Sequence, residues 1–407
     1  MLSPLIPDIR HPKWIIVVKL LEIIASPRAN KIAGRLKIYD KDKFLLSIKV
    51  LILSDLFERD ISRLVSEINE NIALKRLLRI NLKLKANEIY KMQSNLDYEL
   101  IFTFFKRLFQ PRKRLRDKKV ETVIIDTSSI AIDLNLWRNR HRIGKGDKKY
   151  KYSYSPSIGY YVGFKLILAI NQDNELLGFE IFKNSPNDSK MLIPFLDKLY
   201  RSRIIKSEDI IICDKGFTSK NNYQTIINRF NIVPIIYPRK NTNLEKIIHN
   251  LNPPLDLFFC KKYNLAIWKR TVVAFKKLIY EWESFKIIRS NIEDFFNIAK
   301  NFLGMNRNHQ YTKVSIEKRV ARIIFLTQTL ICLLDDLNID KRAIPYWWSW
   351  ERGISIQSPL DVIDLFNLFD LFNLFDLFNL FDLFYLFGNA FVPWSIFIPH
   401  LFLVRNQ

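Results

Sequence analysis

The chain has 407 residues, of which 48% are hydrophobic and 26% are charged, and its 64 Lys and Arg against 41 Asp and Glu give a net charge of +23. This composition excludes a mainly disordered protein, and three scattered cysteines without a CxxC pair indicate neither a zinc site nor a disulfide framework. The positive charge favours a polyanionic partner, which is either nucleic acid or an acidic membrane surface.

The first predicted region is helical and covers residues 1–110. Apolar residues from Leu51 to Ile68 recur at spacings of three and four, which is typical of amphipathic helices. The apolar run Trp14–Ala25 is interrupted by Lys19 and lacks a small-residue cleavage site. We therefore predict neither a signal peptide nor a membrane span, and we expect a cytoplasmic, nucleoid-associated protein. This region is predicted to be a domain that binds DNA or forms a dimer.

A basic segment follows, from Lys106 to Lys119, with eight Lys and Arg residues against the single acid Asp117. A run of like charge is more often solvated surface than a binding site. Because this segment lies just before the next domain, we give contact with DNA the same weight as a solvated surface. Arg112 and Arg114 are the candidate DNA contacts. Both interpretations stay open at this point.

Residues 111–335 form the second predicted domain, which is α/β. Asn187 or Asp188 is a plausible N-cap for a first helix, and further helices are predicted at about 219–230, 284–304 and 315–335. The order of strand, hairpin, helix, strand, helix, strand and late helix predicts an RNase H-like mixed sheet flanked by helices. The predicted strands are Val120–Ile125, Phe164–Ile170, Leu176–Phe182, Ile210–Cys213 and Ile232–Tyr237, with shorter ones at Leu257–Cys260 and Ala266–Phe275.

Two aspartates end predicted strands of this domain. Asp126 closes the run Val123–Ile125, and Asp214 closes Ile210–Cys213. A carboxylate at the end of a buried strand is costly unless it is paired or bound to a metal ion. Asp also ends strands simply as a turn former, so each residue alone is weak evidence, whereas two of them on neighbouring strands favour a metal site.

A third acid lies on the predicted helix at 284–304. At about 100° per residue, Arg289, Glu293 and Lys300 lie within about 40° of one another on a helix. One face of the helix therefore carries a cation, a carboxylate and a second cation. By spacing alone, an ordinary surface salt bridge between Arg289 and Glu293 is the simpler interpretation.

The segment from Arg289 to Lys300 resembles the Y-x2-R-x3-E-x6-K signature of insertion-sequence transposases with a DDE catalytic domain. Asp126, in Ile-Ile-Asp-Thr-Ser, resembles the first aspartate of that family, and Asp214, in Cys-Asp-Lys-Gly-Phe, resembles the second. The three acids follow one another at separations of 88 and 79 residues. The signature's tyrosine position holds Lys286 in this chain.

The resemblance implies a metal-dependent enzyme that cuts DNA and transfers the strand. Asp126, Asp214 and Glu293 would be the catalytic residues and would bind two Mg²⁺ or Mn²⁺ ions. The partners would be double-stranded DNA, comprising terminal repeats and target, and a second copy of the chain in a synaptic homodimer. The predicted DNA contacts are Arg289, Lys300, Lys286, Arg112, Arg114, Lys148, Lys149 and Lys151. The last three belong to a stretch that mixes cations with tyrosines, for which a basic surface loop without a DNA contact is the alternative interpretation.

Other functions remain possible from the residues alone. A nuclease or resolvase of the same fold would use the same metal chemistry without joining DNA, and a decayed transposase would bind DNA without cutting it. Residues 336–407 are predicted to be a low-complexity tail, because an x-Leu-Phe unit repeats from Asp364 to Phe387. A period of three gives neither a helix nor a strand a steady apolar face, so we expect no catalytic role for the tail.

Overall fold

The computed structural model describes residues 12–109, 120–132, 152–155, 159–253, 262–306 and 313–336. In the N-terminal range every element is a helix, as predicted. Short polar side chains start several of these helices: Asp40 accepts a hydrogen bond from Lys43 N at 2.9 Å, and Asn71 accepts one from Ala73 N at 2.8 Å. The helices are α1 (Pro12–Ala25), α2 (Pro27–Arg35), α3 (Lys41–Leu56), α4 (Ile61–Glu70), α5 (Ile72–Leu78), α6 (Ala86–Asn95) and α7 (Tyr98–Phe109).

The second part of the chain forms a mixed sheet. Two helices connect its later strands: α8 (Asp188–Arg201), and α9 (Lys220–Thr225), which continues as a π-helical turn over Ile226–Phe230. The strand order is β2-β3-β1-β5-β6, and β4 pairs with β3 as well. The strands are β1 (Thr122–Ala131), β2 (Tyr152–Ser155), β3 (Gly159–Asn171), β4 (Leu176–Lys183), β5 (Ile210–Cys213) and β6 (Val233–Ile236).

The position of β1 at the centre of the sheet follows from its sequence. Val123, Ile124 and Ile125 are all fully buried, which requires cover on both faces of the sheet. β1 pairs antiparallel with β3, so Asp126 lies opposite Leu168, and it pairs parallel with β5, so Ile125 lies beside Cys213. An antiparallel hairpin joined to parallel strands, with helices on the sheet, is the predicted RNase H-like fold.

Four helices complete the described part of the chain: α10 (Leu244–His249), α11 (Lys262–Leu278), α12 (Lys286–Asn297) and α13 (Lys313–Asp336). α13 packs against α7 and β4, and Phe325 of α13 contacts Phe102 with ring centroids 5.4 Å apart. The helical region and the sheet thus share one core. The division into domains near residue 110 stays a prediction, and so does the tail, which lies outside the described residues.

Two predicted elements need correction. β1 continues past Asp126 to Ala131, so this aspartate lies within the strand and not at its end. The predicted strand Ala266–Phe275 is instead part of α11, because its buried residues, such as Trp268, Val272 and Phe275, recur at helical spacing. β2 was not predicted, and the predicted strand at 257–260 lies outside the described residues. None of the described helices is long and apolar enough to cross a membrane.

Candidate active site

Asp126 lies on β1 with its carboxylate largely shielded from solvent. One carboxylate oxygen accepts a hydrogen bond from Thr127 N at 2.7 Å, and the other is 3.1 Å from Arg289 Nη2. Burial raises the pKa of Asp126 to about 6, against the lowering effect of Arg289 and the Thr127 N–H, while the charges of Asp214 and Asp188 raise it further. The folded protein therefore holds this charge at a cost, which a bound cation would offset.

Arg289 joins the first and third predicted acids. It lies on α12, where its Nη1 is 2.7 Å from Glu293 Oε1 while Nη2 bonds Asp126. The α-helical spacing of four residues brings Arg289 and Glu293 to the same face of α12, as predicted. The other link, from Arg289 to Asp126, crosses to the sheet and shows that this face of α12 covers the centre of the sheet.

Asp214 follows β5 directly and is half-buried, as the sequence predicted. It lies close enough to raise the pKa of both Asp126 and Arg289 by its charge. The pKa of Arg289 is lowered by burial, but the carboxylates of Asp126, Asp214 and Glu293 outweigh this effect and raise it above its ordinary value. Two of the predicted acids, Asp126 and Glu293, thus pair with one guanidinium, and the third, Asp214, acts on it by its charge.

Lys300 also reaches this site. Between Glu293 and Lys300 the helix widens into a π-helical turn, Ile298–Phe302, a feature that often occurs at functional sites. Lys300 Nζ lies over the ring of Phe296 at 5.8 Å from its centroid. Burial lowers the pKa of Lys300, and the charge of Asp126 acts in the opposite direction. The charge of Asp126 thus acts on Lys300, and the predicted contact of Lys300 with DNA stays a prediction.

Lys286 contacts Trp282 and Glu283, and its predicted contact with DNA stays a prediction. Its Nζ lies over the Trp282 ring at 4.8 Å from the centroid, and it pairs with Glu283 at 3.4 Å. The remaining predicted DNA contacts, Arg112, Arg114, Lys148, Lys149 and Lys151, lie outside the described residues and stay predictions.

The carboxylates suit a divalent metal ion by chemistry, since hard oxygen ligands are what Mg²⁺ prefers. Within the described ranges, no group of three or more His, Cys, Asp or Glu side chains is close enough together to hold a metal ion. Arg289 accounts for the spacing, because it stands between Asp126 and Glu293. Glu293 is more than half exposed, so it has room to turn from Arg289 towards a metal ion. That the three acids share metal ions stays a prediction.

The sequence matches the family described as "Transposase DDE domain" over residues 117–328, just over half of the chain. The chain belongs to the DDE transposase family. Membership gives this chain the function of a transposase, which cleaves DNA and transfers the strand. Enzymes of this family use divalent metal ions and bind DNA, which agrees with the acids and cations of the site.

Other comparisons add little. No curated protein matches this transposase significantly. Among solved structures, a cryo-EM structure of a piggyBac transposase synaptic complex with hairpin DNA is similar at 10% sequence identity and a TM-score of 0.36, covering 86% of this chain and 84% of that chain. At that TM-score the likeness carries no further argument.

A fourth acid of the transposase was missed as a site residue. Asp188 begins α8 and was interpreted from the sequence as a helix cap, but its side chain faces β1 and β3. It accepts a hydrogen bond from Thr127 Oγ1 at 2.8 Å and forms a salt bridge with Lys165. No sequence signal distinguished this residue from an ordinary cap, because the contact depends on how α8 lies on the sheet.

Asp188 also contacts the loop that carries Asp214. A Cβ added at Gly216 would lie 2.6 Å from Asp188 Oδ2, which is closer than atoms approach without displacement. Asp188 cannot retreat easily, since Thr127 and Lys165 hold it. We expect Gly216→Ala to displace the Asp214 loop and to slow DNA cleavage roughly 100-fold, as small misplacements of catalytic groups do.

The matched control for this variant is Gly34→Ala. Gly34 lies inside α2, where an added Cβ would meet only the end of the Lys41 side chain at 3.4 Å. This change should leave cleavage unaltered and stabilise the protein by about 0.5–1 kcal/mol. Single-turnover cleavage rates and melting temperatures of both variants check the prediction, and a normal rate for Gly216→Ala would show that the loop tolerates displacement.

Proposed function

We propose that this transposase cuts and joins DNA at a site formed by Asp126, Asp214 and Glu293, which would hold two Mg²⁺ or Mn²⁺ ions. One observation carries the proposal: Arg289 pairs with both Asp126 and Glu293 and is influenced by the charge of Asp214. These contacts support a site to which a central strand, a neighbouring strand end and a helix each contribute one acid. A surface salt bridge alone would not link α12 to the middle of the sheet.

The ions, when bound, would activate the attacking oxygen and stabilise charge on the scissile phosphate. The chain's own residues prepare the site for that chemistry. β1 and β5 fix Asp126 and Asp214 on a rigid sheet, while Glu293 lies on the solvent side and is free to turn. Once Glu293 turns away, Arg289 Nη1 would be available for a phosphate oxygen, a role that suits its planar fork of donors.

We further propose that DNA runs along one end of the sheet. At this end β1 and its partner β3 extend past Asp126. The β2–β3 hairpin lies there and carries Tyr154 directly opposite Tyr160. Both are exposed, and their rings are 5.3 Å apart in an edge-to-face arrangement. Exposed aromatics next to basic residues suit unpaired bases, and Lys148, Lys149 and Lys151 come just before this hairpin in the sequence. A homodimer that pairs two DNA ends is part of the same proposal.

The decisive experiment uses the DNA that flanks the gene. The substrate is a labelled DNA duplex that contains the inverted repeat found there. It would be incubated with the full chain, a target plasmid and Mg²⁺ or Mn²⁺. We expect nicking at the repeat end and joined products that depend on the metal. Cleavage without joining would instead identify a nuclease or resolvase, and binding without cleavage would identify a catalytically inactive remnant.

Affinity for DNA should fall steeply with salt. If about six of the proposed basic contacts neutralise phosphates, the association constant should drop about 10³-fold between 50 and 200 mM salt. Fluorescence anisotropy with a labelled duplex measures this slope. Arg289→Met should reduce the salt slope by about one. The control is Arg270→Met, which removes a cation of α11 that is paired with Glu208 and should leave the slope unchanged. A flat salt profile would contradict binding through phosphates.

A further inference from the structure

Tyr237 lies at the site although no motif pointed to it. It directly follows β6, and its backbone N–H donates to Cys213 O at 3.1 Å, one residue before Asp214. Its ring stacks at a tilt on Trp282, with centroids 5.0 Å apart, and the Arg289 guanidinium lies 5.8 Å from the ring centroid. Backbone and ring are thus both fixed beside Asp214 and Arg289.

The hydroxyl of Tyr237 has no hydrogen-bond partner among the described residues, although the residue is only 7% exposed. Buried polar groups are nearly always hydrogen-bonded, so a buried hydroxyl without a partner needs an explanation. Arg289 Nε is also buried without a hydrogen-bond partner in the described part of the chain, whereas the two Nη atoms donate to Glu293 and Asp126. Two neighbouring donors at the site therefore have no acceptor among the described residues.

Both donors suit one kind of ligand. Burial raises the pKa of the Tyr237 hydroxyl to about 12, against the lowering effect of the Arg289 charge, and the charges of Asp214 and Glu293 also raise it, so the hydroxyl keeps its proton and can donate. No acceptor for either donor lies among the described residues, and the ligand that suits both is a small, hard oxygen group that reaches a site lined by acids and one guanidinium. A phosphodiester oxygen of DNA meets these conditions, and Arg289 supplies the positive charge that it requires.

We propose that the Tyr237 hydroxyl donates a hydrogen bond to a non-bridging phosphate oxygen of the DNA strand being cut, next to Arg289 Nε. This assignment rests on the proposed function of the site. It gives the transposase a substrate-contacting residue outside the three acids and outside α12. The hydrogen bond would hold the phosphate in line with the acids, so its loss should slow the reaction more than it weakens DNA binding.

Tyr237→Phe tests the proposal with little disturbance. It removes one oxygen and keeps the ring contacts with Trp282 and Arg289. Because the hydroxyl has no partner in the part of the chain that the structure describes, its removal leaves no group there unsatisfied, and the melting temperature should stay the same or rise. Single-turnover cleavage at saturating DNA and Mg²⁺ should become roughly 10- to 100-fold slower, as expected for one hydrogen bond to a charged group.

Tyr223→Phe is the matched control. Tyr223 is fully buried, and its hydroxyl donates to Ile236 O at 2.7 Å, one residue before Tyr237. Its removal leaves that carbonyl without its partner, so the melting temperature should fall while the cleavage rate of the folded protein stays normal. The two variants thus predict opposite patterns, with rate lost in one and stability lost in the other.

The outcomes distinguish a failure of the Tyr237 contact from a failure of the proposed function. If the unmodified chain cleaves DNA and Tyr237→Phe cleaves at the same rate, the phosphate contact is wrong and the proposed function stands. The same conclusion follows if Tyr237→Phe lowers the melting temperature as much as Tyr223→Phe does, because the hydroxyl would then have a structural role. If the unmodified chain fails to cleave its own flanking repeats with Mg²⁺ or Mn²⁺, the proposed function fails and this assignment fails with it.

Discussion

Asp126→Asn is expected to abolish DNA cleavage while leaving DNA binding nearly unchanged. The variant keeps the size of the side chain but loses the charge that a metal ion needs. Loss of metal-assisted charge stabilisation, worth several kcal/mol, should slow cleavage roughly 10³-fold or more. Single-turnover assays with Mg²⁺ and with Mn²⁺, beside anisotropy measurements of DNA affinity, check both halves of the expectation. Cleavage by Asp126→Asn within tenfold of the unmodified rate would remove Asp126 from the site.

The stability of this variant provides an internal control. Burial raises the pKa of Asp126 to about 6 in the folded protein, above the value of about 3.9 for an unfolded Asp. A raised pKa for an acid means that its charge opposes folding at neutral pH, and that this opposition fades as pH falls from about 6 towards 4. Asp126→Asn removes the charge, so without metal its melting temperature at pH 7 should not fall. Loss of activity would then not reflect misfolding.

Glu283→Gln is a suitable negative control for the acids. Glu283 lies just before α12, is exposed, and pairs with Lys286 rather than with Arg289. Its neutralisation should leave cleavage unchanged, whereas Glu293→Gln should abolish it. Equal losses in both variants would indicate a general charge effect along α12 and not a defined ligand.

Much of this site could be predicted from the sequence because its parts are local. Asp214 follows a short apolar, β-branched run that predicts a buried strand, and Arg289 and Glu293 share a helix face through their spacing of four residues. The extension of β1 beyond Asp126 was missed, because Thr127, Ser128 and Ser129 carry no apolar alternation. Their pairing with β3, visible only in three dimensions, makes them part of the strand.

The rest of the site depends on long-range packing. Asp188 and Tyr237 are 62 and 111 residues from Asp126, and each had a sufficient local interpretation, the first as a helix cap and the second as a strand end before Pro238. Only the placement of α8 on β1 and of β6 beside β5 brings them to the site. The same limit applies to α11, where an apolar, β-branched run that suits a strand becomes helical because one face packs on the core.

The largest expected effect on stability lies away from the site, where α3 meets α13. Asp55 and Arg322 form a bidentate salt bridge, with Arg322 Nη2 3.1 Å from Asp55 Oδ1, and each side chain is only 4% exposed. Arg319 Nε lies 3.8 Å from the same carboxylate. Asp55→Leu would leave Arg322 as a buried charge without its carboxylate, and we expect the free energy of unfolding to fall by about 3–5 kcal/mol.

Urea denaturation measures this loss, and two further variants show its origin. Asp55→Leu combined with Arg322→Met removes the bidentate pair and should regain part of the stability, since apolar pairs often replace buried ion pairs without loss, while Arg319 keeps its hydrogen bond to Gly304 O. Glu208→Gln breaks the more exposed pair with Arg270 and should change the stability by at most about 1 kcal/mol. If Asp55→Leu alone leaves the chain unfolded, folding of the double variant is the measurement. A chain that requires the ion pair itself would fail to fold with the single and with the double substitution. Recovery would show that the pair matters chiefly because each charge is buried with the other, and that α3 is held to α13 by the apolar core around them.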